Sequence, residues 1–219
     1  MSLFGAFWDK DPNPVGIDNF GNNKGLFYNL GWQPKGVLHI GAWDAWESKQ
    51  YAHVCGENSV FIEANPVSFD LFKNEIIKYN QKIYNFAAWN VDDLELDLYC
   101  PPSNPDSSSL IEKIGNPIKT KTITIKTLFD RENLDFNNYD LLNIDVEGAE
   151  LQVLEGIGDN IKKFTYIIIE VSDLNSNSDI LVNNYITNMG FNHYKDSTIH
   201  RSSITGKMFC DRLYKNNNN

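Results

Sequence analysis

From Gly36 onward, short apolar runs alternate with stretches whose apolar residues recur at helical spacing, and this alternation constrains the fold most. Residues 37–40, 59–63, 83–88, 139–146 and 166–171 read as buried strands. Helical patterns over 44–55, from Asn65-Pro66 through Phe69, Phe72 and Ile76, over 148–157 and over 178–189 separate them. Asn65 supplies an N-cap and Pro66 an N1 proline, while Gly158 and Gly190 stop two of the helices. Strands separated this widely cannot pair as hairpins, so the chain predicts a mostly parallel α/β sheet covered by helices on both faces. Alternating segments at 94–99 and 121–126 read as half-exposed strands, with a long polar loop over 101–116 between them. Two late strands, 191–194 and 208–214, add an antiparallel edge. Residues 36–214 form one domain, preceded by an aromatic, Gly- and Asn-rich segment (1–35) and followed by a disordered tail (215–219).

The bulk properties narrow the function. At 219 residues, with 42% hydrophobic and 13% aromatic residues, the chain is long and apolar enough for a continuous core. A net charge of −10 without clustered Lys or Arg argues against nucleic acid as partner. Cys55, Cys100 and Cys210 are scattered and form no zinc pattern with the four histidines, so they read as reduced thiols of a cytoplasmic protein. No apolar run approaches the ~20 residues of a membrane span, and residues 1–10 do not read as a signal peptide.

Ligands in such sheets bind beyond the carboxyl ends of the strands. The first strand ends Gly41-Ala42-Trp43-Asp44-Ala45-Trp46. Indoles at Trp43 and Trp46 stand where a dinucleotide site needs glycine, which disfavours NAD and FAD and leaves an adenosine cofactor without phosphate, S-adenosylmethionine being the common one. Glu63 ends the second strand about twenty residues further on, where a carboxylate holds a ribose diol. Taken singly, Gly41 reads equally well as a turn glycine and Glu63 as an acid at a helix start. The stretch Asn143-Ile144-Asp145-Val146-Glu147-Gly148-Ala149-Glu150 sets three acids at a buried strand-to-helix junction, which is costly unless they bind something. The helix dipole accounts for Glu150 more readily than for Asp145.

Residues 140–156, with Val37-Leu38-His39-Ile40-Gly41-Ala42, Glu47 and Tyr51, Glu63-Ala64-Asn65-Pro66, Ala87-Ala88 and Ser107-Ser108-Ser109-Leu110 in that order, resemble the FkbM family of methyltransferases. The resemblance covers about residues 36–171 and implies a class I methyltransferase (Rossmann-like) fold with S-adenosylmethionine as cofactor. It also implies O-methylation of small or glycosidic molecules. By position it sets Gly41 and Ala42 by the methionine part, Glu63 by the ribose, Ala88 by the adenine and Asp145 by the sulfonium, with Ala64 also among the cofactor-binding residues. His39 stands where many members carry Asp, and Glu47 is placed to supply the missing carboxylate. His39 itself is read either as a cofactor contact or as a core residue.

An alcohol acceptor must lose a proton, so a general base is needed; Asp145 is the first candidate and Glu170, ending the next strand, the second. Ser108, Ser109 and Glu147 are the candidate acceptor contacts, and no metal ligand set is assigned. One rival reading is a magnesium-dependent O-methyltransferase with Asp145 and Glu147 on the ion. Another is a non-catalytic cofactor-binding or assembly protein, and a nicotinamide oxidoreductase is the weakest. The expected partner is a small-molecule or carbohydrate acceptor, with homodimerisation open. Residues 1–34, with Phe4, Phe7, Trp8, Phe20, Phe27, Tyr28 and Trp32, are read as a cover over the acceptor pocket, with a dimer arm or a cap on the far side of the sheet as the alternative.

Overall fold

The computed structural model describes residues 30–102 and 107–217. In chain order its elements are β1 (Val37–Ile40), α1 (Ser48–Cys55), β2 (Ser59–Glu63), α2 (Pro66–Ile77), β3 (Lys82–Asn85), β4 (Ala87–Ala88), β5 (Glu95–Cys100) and β6 (Asn116–Ile123). These are followed by α3 (Ile125–Arg131), β7 (Leu141–Ile144), α4 (Glu150–Ile157), β8 (Tyr166–Val171), α5 (Asn177–Asn188), β9 (Phe191–Asp196), β10 (His200–Arg201) and β11 (Met208–Asn216).

The main sheet runs β10-β11-β8-β7-β1-β2-β3, with β9 also on β11. Strands β8, β7, β1, β2 and β3 are parallel, and β11 is antiparallel to both β8 and β9. This is the expected α/β sheet with an antiparallel edge. Strand order reverses between β1 and β7, whose register pairs Ile40 with Ile144 and so brings the turns after them side by side. Period-two alternation sends Leu38, Ile40, Leu142, Ile144, Ile167 and Ile169 to one face, against Phe129, Val153, Leu154 and Ile186 of helices α3 to α5. Val37, Phe61, Leu141, Ile168 and Leu213 point the other way, clustered with Tyr51 of α1 and Ile76 of α2. Each such residue, nearly all of its surface removed from water, contributes roughly 1.5–3 kcal/mol.

Several boundaries differ from expectation, each for a local reason. Helix α1 starts at Ser48 instead of 44 because Trp43 and Ala45 take left-handed backbone angles (φ 39° and 55°). The strand expected over 83–88 divides at Phe86, and Ala87–Ala88 joins β6 in a second, three-stranded sheet with β5. The strand expected over 121–126 ends at Ile123, because Thr124 caps a helix, α3, that its alternating pattern concealed. Asp92 holds that cap, accepting from Thr124 N at 2.6 Å and Thr127 Oγ1 at 2.7 Å. Lys215 and Asn216, expected in the tail, belong to β11; Asn216 Nδ2 donates to the carbonyls of Lys162 (3.1 Å) and Phe164 (2.9 Å).

Residues 1–29 lie outside the described residues, and with them most of the segment read as a cover. The described remainder lies at the amino ends of the strands, with Trp32 packed on Tyr166 at 4.7 Å and Lys35 N donating to Asp140 Oδ1 at 2.9 Å. Among the described residues no helix is long and apolar enough to cross a membrane. The three cysteines are free thiols.

Candidate functional site

A cavity of about 520 Å³ opens at the carboxyl ends of β1, β2, β7 and β8, a size suited to a cofactor-sized ligand. Gly41 makes its innermost turn. Its φ is +91°, and an added Cβ would stand 1.7 Å from the carbonyl oxygen of Asp145. Only glycine lets the β1 and β7 turns touch backbone to backbone. The N–H groups of Gly41 and Ala42 both donate to Ile62 O, at 2.9 and 3.2 Å.

Glu63 is pinned at the end of β2. Its Oε2 accepts from Trp43 N and its Oε1 from Asn65 N, both at 2.7 Å. Each oxygen keeps further acceptor capacity on the cavity side. Burial pushes its carboxyl up to about 7, outweighing the N–H groups of Asn65, Trp43 and Ala42 that favour the charged form. Glu47, at the N-cap position of α1, lines the same cavity, and burial pushes it up to about 8, helped by the negative charges of Asp44 and Asp211.

Beyond the reversal point the acids crowd together. Oxygens of Asp145, Glu147 and Glu170 all lie within 4.8 Å of one another. Glu147 reaches this group from a left-handed backbone position (φ 53°). Sheet register adds Asp211, fully buried opposite Glu170 in the β11–β8 pair. Burial holds Asp145 well above the usual carboxylate range, and the charges of Glu147, Asp211, Glu150 and Glu47 add to it. Glu170 is raised likewise, by burial and then by Asp145, Glu147, Asp211 and Glu150. Such an arrangement favours protons or a cationic ligand, and its oxygen donors suit a divalent cation. Glu150 also lines the cavity, and its Oε1 accepts from Gly148 N at 2.8 Å and Ser172 Oγ at 3.2 Å.

Gly41, Ala42, Glu47, Glu63, Ala64, Ala88, Ser108, Asp145, Glu147 and Glu170 of the expected set line the cavity together. His39 and Ser109 do not. Strand alternation turns His39 into the opposite core, where its ring meets Phe61 at 5.4 Å, Tyr51 OH at 3.4 Å and Asn143 Nδ2 at 3.4 Å. Burial lowers its pKa to about 3, so the neutral ring packs beneath the site. Ser109 instead organises its loop: Oγ donates to Glu147 O at 2.6 Å and accepts from the N–H groups of Ile111 and Glu112. Trp43 lines the cavity, while Trp46 packs against the core. The sequence reading expected β11 as a strand over 208–214 but missed β10 and the wall that the hairpin makes with Arg201, Ser202, Thr205, Lys207 and Phe209. An antiparallel hairpin carries no strand-end signal, so nothing in the sequence marked it.

The Methyltransferase FkbM domain matches residues 32–192. No curated protein matches the chain in sequence. Among solved structures, the chain is similar to the B. subtilis M1A22 tRNA methyltransferase TrmK, at 9% identity and TM-score 0.48, over 82% of this chain and 59% of that one. It is also similar to the N-methyltransferase NodS from Bradyrhizobium japonicum WM9, at 10% identity and TM-score 0.47, over 84% and 86% of the two chains. The similarity to WbdD is 11% identity and TM-score 0.48, over 86% of this chain and 37% of WbdD. The chain thus spans less than two thirds of the length of TrmK and of WbdD. With the family match extending over well more than half of its length, the chain belongs to the FkbM methyltransferase domain family, whose members generally use S-adenosylmethionine.

Proposed function

We propose that the protein is an S-adenosylmethionine-dependent O-methyltransferase of the cytoplasm, acting on a hydroxyl of a small molecule or sugar. The observation that carries this reading is the convergence of Gly41, pinned Glu63 and half-buried Asp145 on one cavity where strand order reverses. The residues fit the cofactor: the bare Gly41 lets the Asp145 backbone close against the β1 turn and so sets Asp145 beside the cavity, and Glu63 has two fixed oxygens able to accept from a ribose diol. Gly41 and Ala42 would hold the methionine part with Glu47, Glu63 and Ala64 the ribose, and Ala88 the adenine edge. When bound, the cofactor supplies a methyl group on a sulfonium sulfur that leaves with the bonding electron pair.

The chain's own work is alignment and proton removal. Asp145, which lines the cavity, takes the acceptor's hydroxyl proton in this reading, with Glu170 as the alternative within the same cluster. Ser108 and Glu147 line the cavity and would contact the acceptor, and Ser109 would act through the loop it holds. Calorimetry with S-adenosylhomocysteine tests the cofactor site: Glu63→Ala should weaken binding by ~1–3 kcal/mol, and NAD should not bind. Unchanged affinity in a folded variant removes Glu63 from the ribose site. Labelled cofactor screened against sugars, glycolipids, polyketides and capped RNA tests the acceptor class.

A second reading has one observation in its favour, the mutual approach of Asp145, Glu147 and Glu170 oxygens within 4.8 Å. These could hold Mg²⁺ and lower the pKa of the acceptor hydroxyl. Full transfer in excess chelator rules this out; loss restored by Mg²⁺ establishes it over the metal-free route.

A further inference from the structure

Residues 107–112 form one wall of the cavity, through Ser107, Ser108, Leu110, Ile111 and Glu112. The inner end of this wall is firmly held. Ser109 exchanges backbone hydrogen bonds with Tyr99 in both directions (2.9 and 3.0 Å) and its Oγ donates to Glu147 O. At the outer end Glu112 Oε1 meets Lys207 Nζ at 2.6 Å, and the same ammonium lies 3.3 Å from Asp173 Oδ2. Lys207 belongs to the connection from β10 to β11, and Asp173 follows β8. One cation therefore ties three segments around the cavity, and all three of its charged groups line it. The other cation of that lining, Arg201, donates to Gly206 O at 2.9 Å and stiffens the hairpin that carries Lys207. Glu112, Asp173 and Lys207 are 36–40% exposed, so each contact is weak and salt-sensitive, which suits a tie that opens and recloses.

We propose that Lys207 is a positioning residue that holds the 107–112 wall against the β10–β11 hairpin and so sets how fast ligands enter and leave the cavity. It acts through Glu112 and Asp173, not on the reacting atoms. The proposal rests on the cofactor reading above, and S-adenosylhomocysteine is the probe, followed by stopped-flow on the full chain. Lys207→Met should accelerate association and dissociation alike by about two- to ten-fold, the range for losing one or two exposed ion pairs. The dissociation constant should stay within about two-fold, because both rates report one opening step. Lys207→Arg should restore the slow exchange, and Glu112→Gln should reproduce the fast one. Raising salt to about 0.5 M should speed exchange in the parent protein and leave Lys207→Met unchanged. Equal rates in parent and Lys207→Met proteins, or parent-like exchange in Glu112→Gln, overturn the proposal and leave the cofactor reading standing. Failure of the parent protein to bind S-adenosylhomocysteine at all overturns both.

Discussion

Glu63 carries a proton in the folded chain over a range where the unfolded chain has released it. Its ordinary value of 4.5 rises to about 7 on burial. The folded state therefore binds more protons between those values, and this contribution to stability is complete below pH 4.5 and lost as pH rises through 7. Urea unfolding of Glu63→Gln should lack that slope, by roughly 3 kcal/mol across the interval relative to the parent. Parallel pH profiles would mean that Glu63 is ionised when folded. Asp145→Asn should lower transfer about 10²- to 10⁴-fold, the span for loss of a general base, with no fall in the thermal midpoint, because it removes a carboxyl that burial disfavours. Parent-like turnover in that variant would assign the proton to Glu170. The Gly41-to-Glu63 spacing was legible in the sequence because Gly41 follows β1 and Glu63 ends β2, strands whose register is set by buried residues. The partnership of Glu170 with Asp211 was not, since it depends on which strand lies beside β8.

Elements set these residues in place, and their small residues carry much of the burden. Gly156 lies within α4, where an added Cβ would stand 2.0 Å from the carbonyl oxygen of Trp89. Helix propensity alone favours alanine there by about 1 kcal/mol. The clash with rigid backbone outweighs it, so Gly156→Ala should be destabilised by about 1–3 kcal/mol on chemical denaturation. A stabilised variant would show that α4 can move off β4 without cost. The long central elements were legible from apolar period alone. Helix α3 was not: Ile123 and Ile125 flank Thr124 in strand-like alternation, and the Asp92 contacts that cap the helix come from some thirty residues away. The break at Phe86 was hidden for the same reason, because the choice between two sheets for Ala87 and Ala88 is made by β6.

The whole molecule is held shut by its last described strand. β11 lies between β8 and β9 and ends with Asn216, whose amide spans two carbonyls of the turn before β8. Asn216→Ala takes this partner from the buried Phe164 carbonyl and the part-buried Lys162 carbonyl and should cost about 1–3 kcal/mol in urea. An unchanged midpoint would mean that solvent reaches Lys162 O and Phe164 O. The central position of β11 has a further result during synthesis. Until residue 216 has emerged from the ribosome, the nascent chain exposes Tyr166–Val171 as an unpaired edge, and Glu170 stands on the bare side of the half-made sheet. The parallel core can assemble early, but the acidic pocket is sealed only once β11 has been made and laid against β8, which makes Tyr166–Val171 the natural place for a chaperone to bind or for nascent chains to pair with one another.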